Sequence, residues 1–204
     1  MSRTMVMFAL LIAGILAACG GSSNTGGTGG ADGSMDAGGG TTDTGGGITD
    51  ALYSSPEMES LLPTNVDGMA FTISSFDYSK IPLDQAAMSF GDASLEGWLG
   101  QTGKNWSDVR WASGSTDLNG EKTATVTVMR VIGADSAAIL DWWGGSSFNM
   151  GDGATTANLG GKTVQKVAYP GLPTVFYQWV KGDTLYWVVA GPESFGDAVV
   201  SATK

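Results

Sequence analysis

Residues 51–204 read as an α+β domain, one antiparallel sheet with short helices packed on one face. Three observations predict it. Runs with two-residue alternation are joined by turns rich in Gly, Asn and Asp, as in antiparallel hairpins. Short runs with apolar residues three and four apart, opened by Ser, Asp or Pro and closed by Gly, read as helices. Finally, Val131-Ile132-Gly133-Ala134-Asp135-Ser136 and Val189-Ala190-Gly191-Pro192-Glu193-Ser194 follow one order, an apolar strand running through Gly and an acid into a helix. Two weakly repeated ββα units imply a sheet with one helical layer. A β-sandwich with incidental helices is the alternative.

The elements follow in order. Ser55 is placed to cap a helix with Pro56 at its first position, Met58, Leu61 and Leu62 forming its stripe and Pro63 ending it. Gly68 to Phe76 reads as a strand, with Met69, Phe71 and Ile73 alternating against Ala70 and Thr72. Asp92-Ala93-Ser94 precedes Leu95, Trp98 and Leu99 on a short helix stopped by Gly100 and Gly103. This strand and helix resemble an earlier half-copy of the ββα unit. Asp108–Thr116 and Lys122–Ile132 flank Asn119-Gly120, a pair that tolerates positive φ and so predicts a hairpin.

Asp135-Ser136 then opens a helix with Ile139 and Trp143 on one stripe, closed by Gly144-Gly145. Phe148 to Asn158 is polar and Gly-rich and reads as a loop, with Lys162 to Ala168 following it. A second hairpin has Val175, Tyr177 and Trp179 on one arm, a turn at Lys181-Gly182-Asp183, and Leu185–Ala190 on the other. The last run is apolar on both faces, so it is expected to be the central strand. Pro192-Glu193-Ser194 starts a final helix with Phe195, Ala198, Val199 and Ala202 as its apolar face.

The N-terminal part has another character. Arg3 precedes a continuous apolar or small run, Met5 to Leu16, followed by Ala17-Ala18. A charged head, a short apolar stretch and small residues make a secretory signal, and the run is too short for a membrane span. Leu16-Ala17-Ala18-Cys19 resembles the lipobox of bacterial lipoproteins, over residues 1–20 alone. The resemblance implies that residues 1–18 are removed and that Cys19, the single cysteine, receives a diacylglyceryl thioether and N-terminal acylation by fatty acids such as palmitate. Gly20, where an Asp would retain an inner-membrane lipoprotein, implies the outer membrane in a Gram-negative cell. Residues 19–50 then form a linker; thirteen of the thirty residues from Gly20 to Thr49 are glycine. Without apolar periodicity, nothing offsets the entropy of ordering it, and such a coil spans roughly 30 Å.

Composition excludes much chemistry. The chain has no histidine and a single cysteine, in the lipobox. Ser-His-Asp and Cys-His catalysis and His- or Cys-ligated metal sites are therefore ruled out. A formal charge of −10 with no Lys/Arg cluster argues against nucleic acid. Asp117–Glu121 and Met150–Gly153 carry oxygens around glycine, but not the alternating acids that calcium loops use. No catalytic, metal or cofactor residue is assigned. Hydrolysis by paired carboxylates needs no histidine, and Asp92, Glu96, Asp135, Asp141 and Glu193 are its candidates. Most of these acids stand at helix starts, where they complement the dipole.

Tryptophan is the remaining signal. Trp98, Trp179 and Trp187 fit core stripes. Trp142 and Trp143 are neighbours on a helix and point about 100° apart, so if Trp143 joins Ile139 inside, Trp142 stands at an edge. Trp106 and Trp111 flank a polar turn. Exposed Trp near Asn, Asp and Ser suits sugar stacking or a protein interface, so Trp142, Trp111 and Trp106 form the candidate binding surface, with Phe148–Asn158 beside Trp142. The expected function is non-enzymatic binding or scaffolding by a lipid-anchored envelope protein, with the membrane and a glycan or protein as partners. The alternatives are a carboxylate-based hydrolase of envelope or extracellular glycans, and a structural lipoprotein without a small ligand.

Overall fold

A computed structural model describes residues 52–81, 93–117, 119–145 and 153–204. All belong to one unit by contact, Asp43–Lys204, while the other unit, Met1–Thr42, lies outside the described residues, as do the signal, the lipobox cysteine and the whole linker. Among the described residues no helix is long and apolar enough to cross a membrane.

Helix α1 (Pro56–Glu59) leads into a small hairpin of β1 (Asn65–Val66) and β2 (Met69–Ala70). Asp67 and Gly68 turn it with φ of 50° and 82°, the left-handed pair that an Asp-Gly two-residue turn adopts. The expected single strand from Gly68 is thus split. Only its second part, β3 (Thr72–Asp77), joins the main sheet. Ser55 precedes α1 but makes no side-chain cap. Its amide instead donates to Ser75 Oγ at 2.8 Å, and that hydroxyl donates to Glu59 Oε1 at 2.6 Å.

Helix α2 (Ala93–Gln101) precedes β4 (Val109–Ser115), and β5 (Thr123–Val131) runs on into α3 (Ser136–Gly145). Asp135 Oδ1 accepts from the amides of Ala137 and Ala138, satisfying two donors at the start of α3. The β4–β5 turn forms where the sequence places it, yet neither Asn119 nor Gly120 takes a positive φ. Asp117 Oδ1 instead accepts from the Asn119 amide at 2.9 Å, an Asx-type turn.

Four strands follow: β6 (Thr155–Leu159), β7 (Lys162–Ala168), β8 (Val175–Lys181) and β9 (Thr184–Gly191), then α4 (Glu193–Ala202). Strand β6 corrects the expectation of a loop through Asn158. Gly160 and Gly161, at φ of 56° and 78°, make the tight turn that pairs Leu159 with Lys162, a Gly-Gly hairpin signal. The rest of that expected loop, Phe148–Asp152, lies outside the described residues.

The seven strands β3 to β9 form one antiparallel sheet in the order β3-β4-β5-β9-β8-β7-β6, so β9 is central as its two apolar faces imply. Two meanders meet along the β5–β9 seam, where Thr123 opposes Gly191 and Arg130 opposes Thr184.

Helices cover both faces of this sheet, not one. Ala124, Val126 and Val128 of β5 and Tyr186 and Val188 of β9 enter a core with Phe195, Val199 and Val200 of α4 and Met58 of α1. Met129 and Val131 of β5 and Leu185 of β9, of opposite parity and so on the other face, pack with Leu95 and Leu99 of α2 and with Ile139 and Trp143 of α3. The physical reason is the sequence: β9 is apolar at both parities, and Met129 and Val131 extend its second apolar face onto the end of β5, so both sides need cover. The two ββα runs therefore place their helices on opposite faces, and the sequence repeat does not extend to packing.

An ionic clamp holds α4 to the sheet. Lys166 Nζ lies 2.7 Å from Glu193 Oε1 and 2.9 Å from Asp197 Oδ1. The Tyr177 hydroxyl donates to Asp197 Oδ1 at 2.8 Å. Burial lowers the Lys166 pKa, but the hydrogen bonds and charges of Asp197 and Glu193 outweigh it and leave the ammonium above its ordinary value. Burial, with Asp197 and Glu193 next, pushes the Tyr177 phenol far up.

Candidate functional site: a tryptophan-walled groove between α2 and α3

The helix period divides α2 into two stripes. Leu95 and Leu99 are buried in the core, while Ser94, Gly97, Trp98 and Gln101, spaced three and four apart, share the adjoining face. On α3, Ile139 and Trp143 point inwards, and Ala138, Asp141 and Trp142 turn towards α2. The two outer stripes face each other across an open groove of about 700 Å³, with Thr102 at the end of α2.

Trp98 and Trp142 both line this groove and pack on one another, with ring centroids 5.4 Å apart and planes tilted by 30°. Trp142 leans on Trp143 at 5.7 Å, and Trp143 on Trp187 at 4.9 Å. Four indoles thus run from the groove onto the sheet. Trp143 Nε1 donates to Gln178 Oε1 at 2.6 Å, which fixes the third ring. Trp142 Nε1 is buried with no hydrogen-bond partner among the described residues, an arrangement that costs about 1–3 kcal/mol when left unmet. Asp141 and Gln101 are exposed, and among the described residues the groove lining has no Lys or Arg.

Gly97 sits inside α2 at this lining. A β-carbon there meets nothing within 4 Å, and its backbone φ is not left-handed. Glycine in a helix interior costs roughly 0.5–1 kcal/mol against alanine, and among the described residues no neighbouring atom requires it here.

The three tryptophans expected at a binding surface are placed differently from one another. Trp142 is half-buried and walls the groove. Trp111 is half-buried against Phe76 at 5.6 Å, away from the groove lining. Trp106 is a correction: it is only 6% exposed and packs on Tyr78 at 5.4 Å, because its 3-10 turn folds it under the sheet. Trp98, assigned by its stripe to the core, is 8% exposed and also forms the second wall. Only its position beside Gly97 on the face with Ser94 and Gln101 signals that role.

The carboxylate candidates are dispersed. Asp135 caps α3, Glu193 belongs to the Lys166 clamp, Glu96 is exposed on α2 and Asp141 lines the groove, while Asp92 lies outside the described residues. Among the described residues no group of three or more acids is placed to hold a metal ion. A second depression of about 320 Å³, by Glu121, Pro173 and Pro192, has no aromatic wall.

Compared with protein-family models, with the curated proteins and with the solved structures, the chain matches none.

Proposed function

We propose that this chain is a lipid-anchored protein of the bacterial cell envelope whose domain is a non-enzymatic binding module, with its ligand in the α2–α3 groove. Cys19 carries the lipid, residues 19–50 are the tether, and the outer membrane is the site in a Gram-negative cell. The observation that carries the binding role is the groove itself, walled by Trp98 and Trp142 and rimmed by Gln101 and Asp141. Aromatic walls supply contact area with little side-chain entropy to lose, and exposed polar groups at the rim set orientation.

The test is the melting temperature of the full chain against a panel of neutral glycans, peptides, acyl lipids and divalent ions. A ligand at a hundred times its dissociation constant adds about 2.7 kcal/mol, and Trp142→Ala should remove about half of that shift or more. A ligand whose effect survives Trp142→Ala undiminished would place binding elsewhere. For the anchor, labelling cells with a tagged palmitate should mark the chain, and Cys19→Ser should leave it unlabelled and in the soluble fraction.

A further inference from the structure

We infer that the α2–α3 groove takes a neutral saccharide, with a sugar ring packed against Trp142; the inference rests on the groove being the ligand site. Among the described residues the lining carries one carboxylate, Asp141, and no cation, and the whole chain has a formal charge of −10. Phosphorylated, uronate and acidic peptide ligands would enter against repulsion with no opposite charge to meet them. An acyl chain fits poorly for the opposite reason. It would strip water from Gln101 and Asp141, both exposed and without a hydrogen bond to another described side chain, and give nothing in return.

A pyranose satisfies both halves of the lining. Its C–H face covers an indole ring as an apolar surface, while its edge hydroxyls donate to the Asp141 carboxylate and exchange hydrogen bonds with the Gln101 amide. Gly97 adds a steric argument. Among the described residues no atom lies within 4 Å of a β-carbon placed there and none demands a glycine, so a flat ring can lie close to the α2 backbone. Trp142 Nε1, buried and unmatched, supplies a donor that a sugar oxygen satisfies once the ring tilts outwards.

The experiment uses the full chain in detergent with its seven tryptophans labelled with ¹⁵N, titrated with cellotetraose, chitotetraose, tetragalacturonate and an uncharged Gly/Ser peptide. One or both neutral oligosaccharides should move the indole N–H resonances of Trp98 and Trp142 and leave that of Trp179 in place, with tetragalacturonate inert. Trp142→Ala should weaken binding by about tenfold or more, equivalent to 1.4 kcal/mol. Gly97→Leu should block it while the remaining indole resonances stay folded. Movement of Trp98 and Trp142 by the peptide or by tetragalacturonate, with neither neutral sugar active, overturns the saccharide inference and leaves the groove as the ligand site. Sugar binding that moves only other indoles overturns both, as does a panel in which no compound moves Trp98 or Trp142.

Discussion

The Tyr177 hydroxyl stands 2.6 Å from the place a β-carbon on Gly196 would occupy, and its Cε2 stands 2.8 Å away. Helix α4 rests directly on the phenol ring, and this contact brings Asp197 within reach of both Tyr177 and Lys166. Gly196→Ala should therefore lower stability by about 1–3 kcal/mol, as overpacking does. Adding Tyr177→Phe should recover only part of that loss, because the ring carbon still intrudes. Urea denaturation of both variants and the double variant checks the coupling.

The same contact predicts the alkaline limit. Tyr177, Tyr186 and Lys166 all have raised pKa values in the folded state. A raised group binds its proton more tightly folded than unfolded, so its contribution is whole below the unfolded pKa of about 10 and is lost as pH rises towards the folded value. Lys162, lowered by burial and by Lys181, acts in the opposite direction. Melting temperature should fall above about pH 10. Tyr177→Phe should flatten that slope while lowering the neutral-pH value, and an unchanged slope would show that the phenol does not titrate with unfolding.

The acid limit involves Asp183. Burial raises its pKa, but the Gly133 amide at 3.0 Å and the Arg130 guanidinium outweigh that and hold it below the usual range. A depressed carboxylate stabilises above its unfolded pKa of about 3.9 and loses its effect as pH falls through the folded value. Asp183→Asn should cost about 1–2 kcal/mol at neutral pH, and the two stability curves should converge in acid. Parallel curves down to pH 2 would remove Asp183 from the account.

Two glycines should respond in opposite ways to one substitution. Gly97→Ala meets no atom of the described residues and should raise stability by about 0.5–1 kcal/mol. Gly160→Ala places a β-carbon 2.7 Å from Ser201 Cα in a left-handed residue, so it should destabilise by more than about 1 kcal/mol. Thermal denaturation compares the pair directly.

Most elements were legible because their signals are local. Leu95 and Leu99 mark the inner stripe of α2, Ile139 and Trp143 that of α3, and the Trp142 edge follows from the helix period alone. Two strand signals were easily misread. Asp67-Gly68 turns a hairpin of its own, and Gly160-Gly161 makes a strand of the polar run Thr155–Leu159. Two-sided helix packing was written in β9, apolar at both parities, and in Met129 and Val131 at the end of β5. The groove was only half visible. Sequence separates Trp98 from Trp142 by two strands, and only the docking of α2 beside α3 on one face joins them. Trp106 misled because a polar turn around an aromatic looks exposed in sequence, while burial is decided by the fold beneath it.

The β5–β9 seam has a consequence for the order in which the chain acquires structure. Strand β5 is complete early in synthesis, yet its partner β9 is among the last elements made. Until then β5 is a bare edge with Ala124, Val126 and Val128 uncovered on one face and Met129 and Val131 on the other, open to pairing with a neighbouring chain. Long-range pairings of this kind slow folding, because the intervening loop must close before the contact is rewarded. Nascent or truncated chains that end before Thr184 should thus be prone to aggregation, and a chaperone that shields β5 would act on the interval between the two halves of the sheet.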